Sequence, residues 1–230
     1  MVFGNRQIPA NIKLTVDQNI IERVFENKFL GVILDHKLCW KPHVDNVRAK
    51  MAKNISVIRK VGYILNTSSL HTLYSAMILP YLYYCSEVWG NTYKTTIKPL
   101  TILQKRAVRV INNVGYQDHT HALFLQSHLL KFTDMVNFKT LQVMHKARYK
   151  QLPTNVRNKF LDKEGGYNLR GPLNFKKPVM KTTQKVMCIS SNGATLWNEL
   201  DENLKYIENI NTFKTRLKRS IFERYRREEL

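Results

Sequence analysis

Lys28-Phe29-Leu30-Gly31-Val32-Ile33-Leu34-Asp35, followed by Leu38-Cys39-Trp40 and His43-Val44, is the stretch on which the fold turns. Five of its first seven residues are apolar and two are β-branched, which predicts a strand covered on both faces. Gly31 falls inside that strand. A glycine there gives up packing and marks a place where another backbone or a ligand comes close. A sharp exit follows at Asp35, and Trp40 and Pro42 announce a helix, since proline suits a first helical turn.

Upstream, Ile12-Lys13-Leu14-Thr15-Val16 alternates with period two, and Ile20-Ile21 and Val24-Phe25 flank a charged pair. With Asp17-Gln18-Asn19 as a turn, residues 1–40 read as a three-strand β-meander ending in the Lys28–Leu34 strand.

Downstream the period changes. Val44, Val47, Met51, Ile55 and Ile58 recur at spacings of three and four, making one apolar stripe. Asn66-Thr67-Ser68-Ser69 supplies caps for a second helix that carries Leu70, Tyr74, Ile78 and Leu82 inward, is kinked by Pro80 and stops at Gly90. A third helix begins near Thr96 and ends at Asn112–Gly115. A short one spans His121 to Leu130, and a longer one is capped by Thr133 and stops before Pro153. From Asp162 to Gly193, Gly165-Gly166, Gly171-Pro172 and Pro178 punctuate short β-capable pieces, of which Val186-Met187-Cys188-Ile189 is the best strand. The last helix, Asn211 to Arg227, places Phe213, Leu217, Ile221 and Tyr225 four residues apart. The fold class is therefore α+β, mainly α. Its parts are a small β region at 1–40, a basic helical bundle at 41–115, a helical extension at 116–160, and β/loop pieces with a final amphipathic helix at 161–230.

The charge is the second signal. Thirty-seven basic residues oppose seventeen acidic ones, a net of +20 in 230 residues. Such an excess repels itself, so a polyanion is the natural partner, nucleic acid first and an anionic membrane surface second. The excess is +1 over residues 1–40, +14 over 41–160 and +5 over 161–230. The helical middle therefore carries most of the field.

A hydrophobic fraction of 43% argues against wholesale disorder. The three cysteines, Cys39, Cys85 and Cys188, lie far apart without a Cys-x-x-Cys pair. This predicts a reduced, intracellular chain, nuclear or cytoplasmic, with neither a zinc knuckle nor a redox pair. The first residues lack the apolar core of a signal peptide, and the longest apolar run, Ala76–Cys85, is too short to span a bilayer.

The pattern Phe29-Leu30-Gly31-Val32-x-Leu34-Asp35-x-x-Leu38-x-Trp40-x-x-His43 resembles the end of the palm in reverse transcriptases of non-LTR (LINE-type, jockey-like) retrotransposons. Three further segments resemble the same family in order. They are Leu73-Tyr74 through Pro80 to Val88-Trp89-Gly90, then Leu103-Gln104-Lys105 with Arg109 and Ile111, and then Gly193-Ala194-Thr195-Leu196-Trp197-Asn198-Glu199-Leu200 with Phe213-Lys214. The resemblance implies a primer grip at Phe29, Leu30 and Gly31, a thumb in the helical middle and a tail beyond it.

It also implies what this sequence departs from. Polymerisation in that family needs carboxylates holding two metal ions, two of them in an Asp-Asp turn, and no Asp-Asp dipeptide occurs here. The expectation is a fragment without its own catalytic centre, lacking fingers, most of the palm and an endonuclease. It binds no cofactor itself, with Mg2+ belonging only to the full-length enzyme. Its expected partners are an RNA/DNA hybrid or single-stranded RNA, and the missing palm and fingers.

Basic helices interleaved with aromatics suit backbone contact, because lysine and arginine neutralise phosphates. The candidates are Lys50, Lys53, Arg59, Lys60, Lys105, Arg106 and Arg109; any one of them reads first as part of a solvated helix face, whereas together they favour a polyanion. His119-x-His121 with His128 lacks a fourth ligand at a recognised spacing, so no metal site is assigned. Trp40, Trp89 and Trp197 read as core anchors, and Tyr81-Tyr83-Tyr84 as core or nucleotide contact. The terminal basic helix suits nucleic acid, an anionic lipid surface or a nuclear import receptor. A different class stays open: a helical protein-interaction module derived from a decayed element.

Overall fold

The computed structural model describes residues 1–4, 14–162 and 173–229. Four short strands come first: β1 (Leu14–Val16), β2 (Asn19–Ile21), β3 (Glu26–Phe29) and β4 (Val32–Asp35). Helices follow: α1 (Lys41–Val61), α2 (Thr67–Met77), α3 (Leu79–Tyr83), α4 (Ser86–Trp89), α5 (Lys94–Ile111), α6 (His121–Gln126), α7 (Phe132–Arg148) and α8 (Thr154–Arg157). After the second described break come α9 (Thr183–Met187), α10 (Ile189–Asn198), α11 (Glu202–Lys205) and α12 (Ile210–Glu229). The molecule is α+β and mainly α, as the periodicities predict.

The β region differs in detail from a meander. It is two separate antiparallel hairpins, β1–β2 and β3–β4. The Lys28–Leu34 run is not one strand. Its register pairs Phe29 with Val32, so Leu30-Gly31 is a two-residue turn. Both turn residues have positive φ, 45° and 84°, the pattern of a type I′ turn, and glycine supplies the second at no steric cost. Leucine rarely adopts that conformation, which is why the sequence conceals the turn.

What comes close to Gly31 is a side chain, the Tyr84 ring, rather than a backbone or a ligand. A Cβ there would lie 3.3 Å from the Tyr84 ring, and the Tyr84 hydroxyl donates to the Leu30 carbonyl at 2.5 Å. Trp89 Nε1 in turn donates to the Tyr84 carbonyl at 2.9 Å.

The rest of the opening motif builds the joint between hairpin and helix. The Asp35 carboxylate accepts from the backbone N–H groups of Cys39 (3.0 Å) and Trp40 (2.8 Å). Burial opposes its charge, but these backbone donors outweigh burial and hold the carboxyl below its ordinary range. Buried His43 accepts from the Ile33 N–H at 3.3 Å and meets Trp89 edge-on. Burial, then the nearby Lys50 charge, pulls the His43 pKa down. The pattern that marks the resemblance is thus, residue by residue, a structural corner.

Two apolar cores share one helix. The first gathers the α1 stripe (Val44, Val47, Met51, Ile55, Ile58) with Tyr74, Leu82, Trp89, Leu100, Ile111 and Phe132. The second gathers Leu141, Met144, Phe160, Phe175, Trp197, Phe213 and Leu217. The N-terminal half of α7 serves the first and its C-terminal half the second, while α12 does the same in reverse order through Phe213 and Leu217, then Phe222 and Tyr225. Gly90 makes the α4–α7 approach possible: a Cβ there would lie 2.5 Å from Val136 Cγ2.

Fully buried Gln104 ties the first core together. Its amide donates to the Leu130 carbonyl (2.9 Å) and Tyr74 hydroxyl (3.2 Å), and its oxygen accepts from the Phe132 N–H (2.8 Å). Burial raises the Tyr74 phenol far above its ordinary value, so the hydroxyl stays protonated.

Three expectations are corrected. Pro80 does not kink one helix; α2 closes at Ile78, α3 restarts with Pro80 in its first turn, and Cys85 at φ 51° breaks the chain again before α4. Thr133 does not cap α7, whose N-cap is Lys131. Val186–Ile189 is not a strand: it spans the end of α9, the extended Cys188 and the start of α10, with Thr182 capping α9 by accepting from the Lys185 N–H. Among the described residues the β structure there is a bridge between Asp162 and Phe175, and the turns at Gly165-Gly166 and Gly171-Pro172 lie outside the described residues.

Candidate nucleic-acid interface

The cations of α1 divide by helical phase. Lys50, Lys53 and Lys60 fall on the exposed side, across the helix from its buried stripe. Lys50 Nζ lies 5.5 Å from the Tyr81 ring centroid. Arg59 flanks the stripe and turns toward α5. On α5, Lys94, Lys98, Lys105 and Arg109 stand at i, i+4, i+11 and i+15, one face of the helix, opposite buried Leu100, Gln104 and Ile111.

Where the ends of α1 and α5 lie side by side, they enclose an open groove of 790 Å3. That is within the range of ligand clefts, about 300–1,000 Å3. Arg59, Arg106 and Arg109 line it, and none of its lining residues is acidic. Arg109 Nε donates to the Asp118 carbonyl at 2.9 Å, and its guanidinium lies 5.8 Å from the Tyr116 centroid. The Asp118 carboxylate closes the loop by accepting from the Gly115 N–H at 2.6 Å. Arg106 Nε is buried and has no hydrogen-bond partner among the described residues.

The fold brings three of the seven predicted cations together here. Lys105 stands beside them on α5, while Lys50, Lys53 and Lys60 occupy the outer face of α1. Phe29, Leu30 and Gly31 sit at the hairpin tip, with Phe29 61% and Leu30 74% exposed, held by Tyr84.

Sequence reasoning passed over the groove's aromatic pair, Tyr63 and Tyr116. A signal was present. Val-Gly-Tyr occurs twice, at Val61-Gly62-Tyr63 and Val114-Gly115-Tyr116, each copy just beyond a helix that ends in basic residues. A second cationic cleft of 740 Å3, between α7 and α8, was also passed over; it holds Arg148, Lys150, Arg157 and Lys176. There Arg148 is already paired with Asp162 at 2.7 Å.

Other candidates have structural partners. His121 Nε2 meets the Tyr225 carbonyl at 2.7 Å, and its Nδ1 meets Lys131 Nζ at 3.0 Å. His128 packs edge-on against Phe222. His145 is buried against Phe213, with Nε2 2.7 Å from the Ile207 carbonyl. Trp89 and Trp197 are fully buried and Trp40 partly so. Among the described residues no group of three or more His, Cys, Asp or Glu converges as a metal site would require. No described helix is long and apolar enough to cross a membrane.

No family model matches the chain, and no solved structure matches it. Curated relatives do. The chain is 23% identical over 126 residues to the RNA-directed DNA polymerase from the mobile element jockey of Drosophila funebris, covering 54% of this chain and 14% of the relative. It is 25% identical over 114 residues to the probable RNA-directed DNA polymerase from transposon BS of Drosophila melanogaster, covering 47% and 12%. It is 26% identical over 136 residues to the probable polymerase from transposon X-element of the same fly, covering 57% and 14%. The chain thus corresponds to only a small part of each relative's length, and over about half of its own it is similar to the RNA-directed DNA polymerases of jockey-like retrotransposons.

Proposed function

We propose that this chain is the nucleic-acid-holding, non-polymerising part of a non-LTR reverse transcriptase, binding an RNA/DNA primer–template through the α1–α5 surface. The observation that carries the reading is the convergence of Arg59, Arg106 and Arg109 from two helices on one groove without an acidic residue. Lys98 and Lys105 extend it along α5. The reaction is displacement at a phosphate by the primer end. In this reading its metal-binding carboxylates are supplied elsewhere, which the lack of an Asp-Asp dipeptide in the sequence supports.

In this reading the chain's own residues hold and orient. Guanidinium and ammonium groups neutralise backbone phosphates and release counterions. The Leu30-Gly31 turn, latched by Tyr84, is the piece that abuts the primer end.

The test is the affinity of the intact chain for a short RNA/DNA hybrid across a salt series. Five phosphate contacts give a log–log slope of about −4.5, at roughly 0.9 per contact. A flat response removes the proposal.

One observation favours a second reading, a protein-interaction module: Leu14, Val16, Ile20 and Ile21 on the first hairpin, and Phe25 just before the second, are all at least half exposed. Under that reading hybrid affinity is indifferent to the groove arginines.

A further inference from the structure

We infer that the α1–α5 groove holds an unpaired nucleic-acid strand, with Tyr63 and Tyr116 as stacking platforms for bases and Arg59, Arg106 and Arg109 on the intervening phosphates. This rests on the reading of the chain as a nucleic-acid binder and specifies which form of nucleic acid this groove takes.

Tyr63 is 85% and Tyr116 76% exposed, beyond any other tyrosine among the described residues. Neither phenol makes a hydrogen bond to a described residue, and both rings are largely open to solvent. Both residues line the groove that gathers Arg59, Arg106 and Arg109.

The two helix ends deliver them in the same way. Each copy of Val-Gly-Tyr follows a basic last turn, Arg59-Lys60 on α1 and Arg109 on α5, so each platform comes with its own phosphate-binding cation. The Tyr116 side is already built. Arg109 reaches the Asp118 carbonyl, the Asp118 carboxylate closes the turn on the Gly115 N–H, and the guanidinium lies over the Tyr116 ring. The buried Arg106 Nε is a donor still unspent in the groove.

A duplex offers phosphates to such a groove, but its bases are stacked on each other and cannot meet a tyrosine face. An unpaired strand offers both, and stacking is tolerant of sequence because every base has a π-face. The site therefore takes single-stranded RNA or DNA without strong base preference. A continuous strand fits better than a free nucleotide, because two platforms and three cations are available.

The experiment compares two labelled ligands on the full chain by fluorescence anisotropy: a short oligouridylate, which has no secondary structure, and a blunt RNA/DNA hybrid. Tyr63→Ala and Tyr116→Ala each lower oligouridylate affinity about tenfold and leave hybrid affinity within about twofold. Tyr63→Phe and Tyr116→Phe restore single-strand binding, since the ring face is kept. The salt slope is unchanged in all four variants, because no phosphate contact is lost. Unchanged oligouridylate affinity in both alanine variants overturns the inference while leaving the proposed function in place. An equal loss on hybrid and single strand also overturns it, showing a groove that does not discriminate. Failure of the parent chain to bind either ligand overturns both.

Discussion

The α1–α5 groove and the α7–α12 seam are built from the same residue types and use them in opposite ways. In the seam, Arg224 meets Asp134 at 2.5 Å, the Tyr225 hydroxyl donates to the same carboxylate, and Tyr225 also accepts from the Lys131 N–H at 3.0 Å. Lys131 and Arg224 both reach Glu228, at 3.4 and 3.7 Å. Nearby, buried Lys205 donates to the Asn198 carbonyl at the end of α10, and burial pulls its pKa down. Lys131 and Arg224 are consumed in holding the last helix, and Lys205 in closing the end of α10. In the groove no lining residue is acidic, so the arginines keep their charge for a ligand. Net charge shows that cations are in excess; only the pairing shows which of them are free.

The comparison breaks most visibly at Asp134. Asp134→Ala leaves the Tyr225 hydroxyl buried without its acceptor and Arg224 without its partner. It lowers unfolding free energy by about 2–3 kcal/mol in urea denaturation, and hybrid affinity of the folded protein stays unchanged. An affinity loss at unchanged stability would dissolve the distinction between seam and groove.

The converse change is Arg106→Ala with Arg109→Ala. It lowers hybrid affinity about tenfold and flattens the salt slope by about 1.8, with stability altered by less than about 1 kcal/mol. If stability falls as it does for Asp134→Ala, the groove arginines are structural after all.

A pH series adds a third measurement. Burial holds His145 below its ordinary pKa, and the bond at Ile207 offsets this only in part. The unfolded chain therefore binds the extra proton first. This stability is complete above about pH 6.5 and drains away as the pH falls toward the depressed folded value. His43 has the same sign. Denaturation midpoints should drop between neutral pH and about pH 5, and His145→Phe should reduce that dependence; an unaltered slope would show that other groups carry it.

The smallest effect is expected at Glu228, whose side chain is 48% exposed. Glu228→Gln should cost less than about 0.5 kcal/mol by the same urea titration, because exposed ion pairs contribute little. A larger loss would mean that the seam depends on its rim as well as on Asp134.

Much of this fold is legible in the sequence wherever a single periodicity suffices. The stripes of α1 and α12 need only apolar residues three and four apart, and both helices form where those stripes run. The β3–β4 turn was hidden because leucine occupies a positive-φ position beside Gly31. Val186–Ile189 has strand-like composition, yet Thr182 and the second core recruit it into helices.

The site was half legible for a similar reason. Charge singled out Arg59, Arg106 and Arg109, but their meeting depends on how two helices pack, which no local pattern encodes. Tyr63 and Tyr116 were passed over because they lie in short links, where helical phase gives no orientation.

One helix with two apolar ends has a consequence for how this polypeptide unravels and how it is remodelled. Because α7 is a wall of both interiors, neither half can melt without stripping the other, so heating should give one transition and a protease should find no stable half to release. Exchanging the tail for that of a distant cousin would require rewriting Leu141, Met144 and Ala147 along with it.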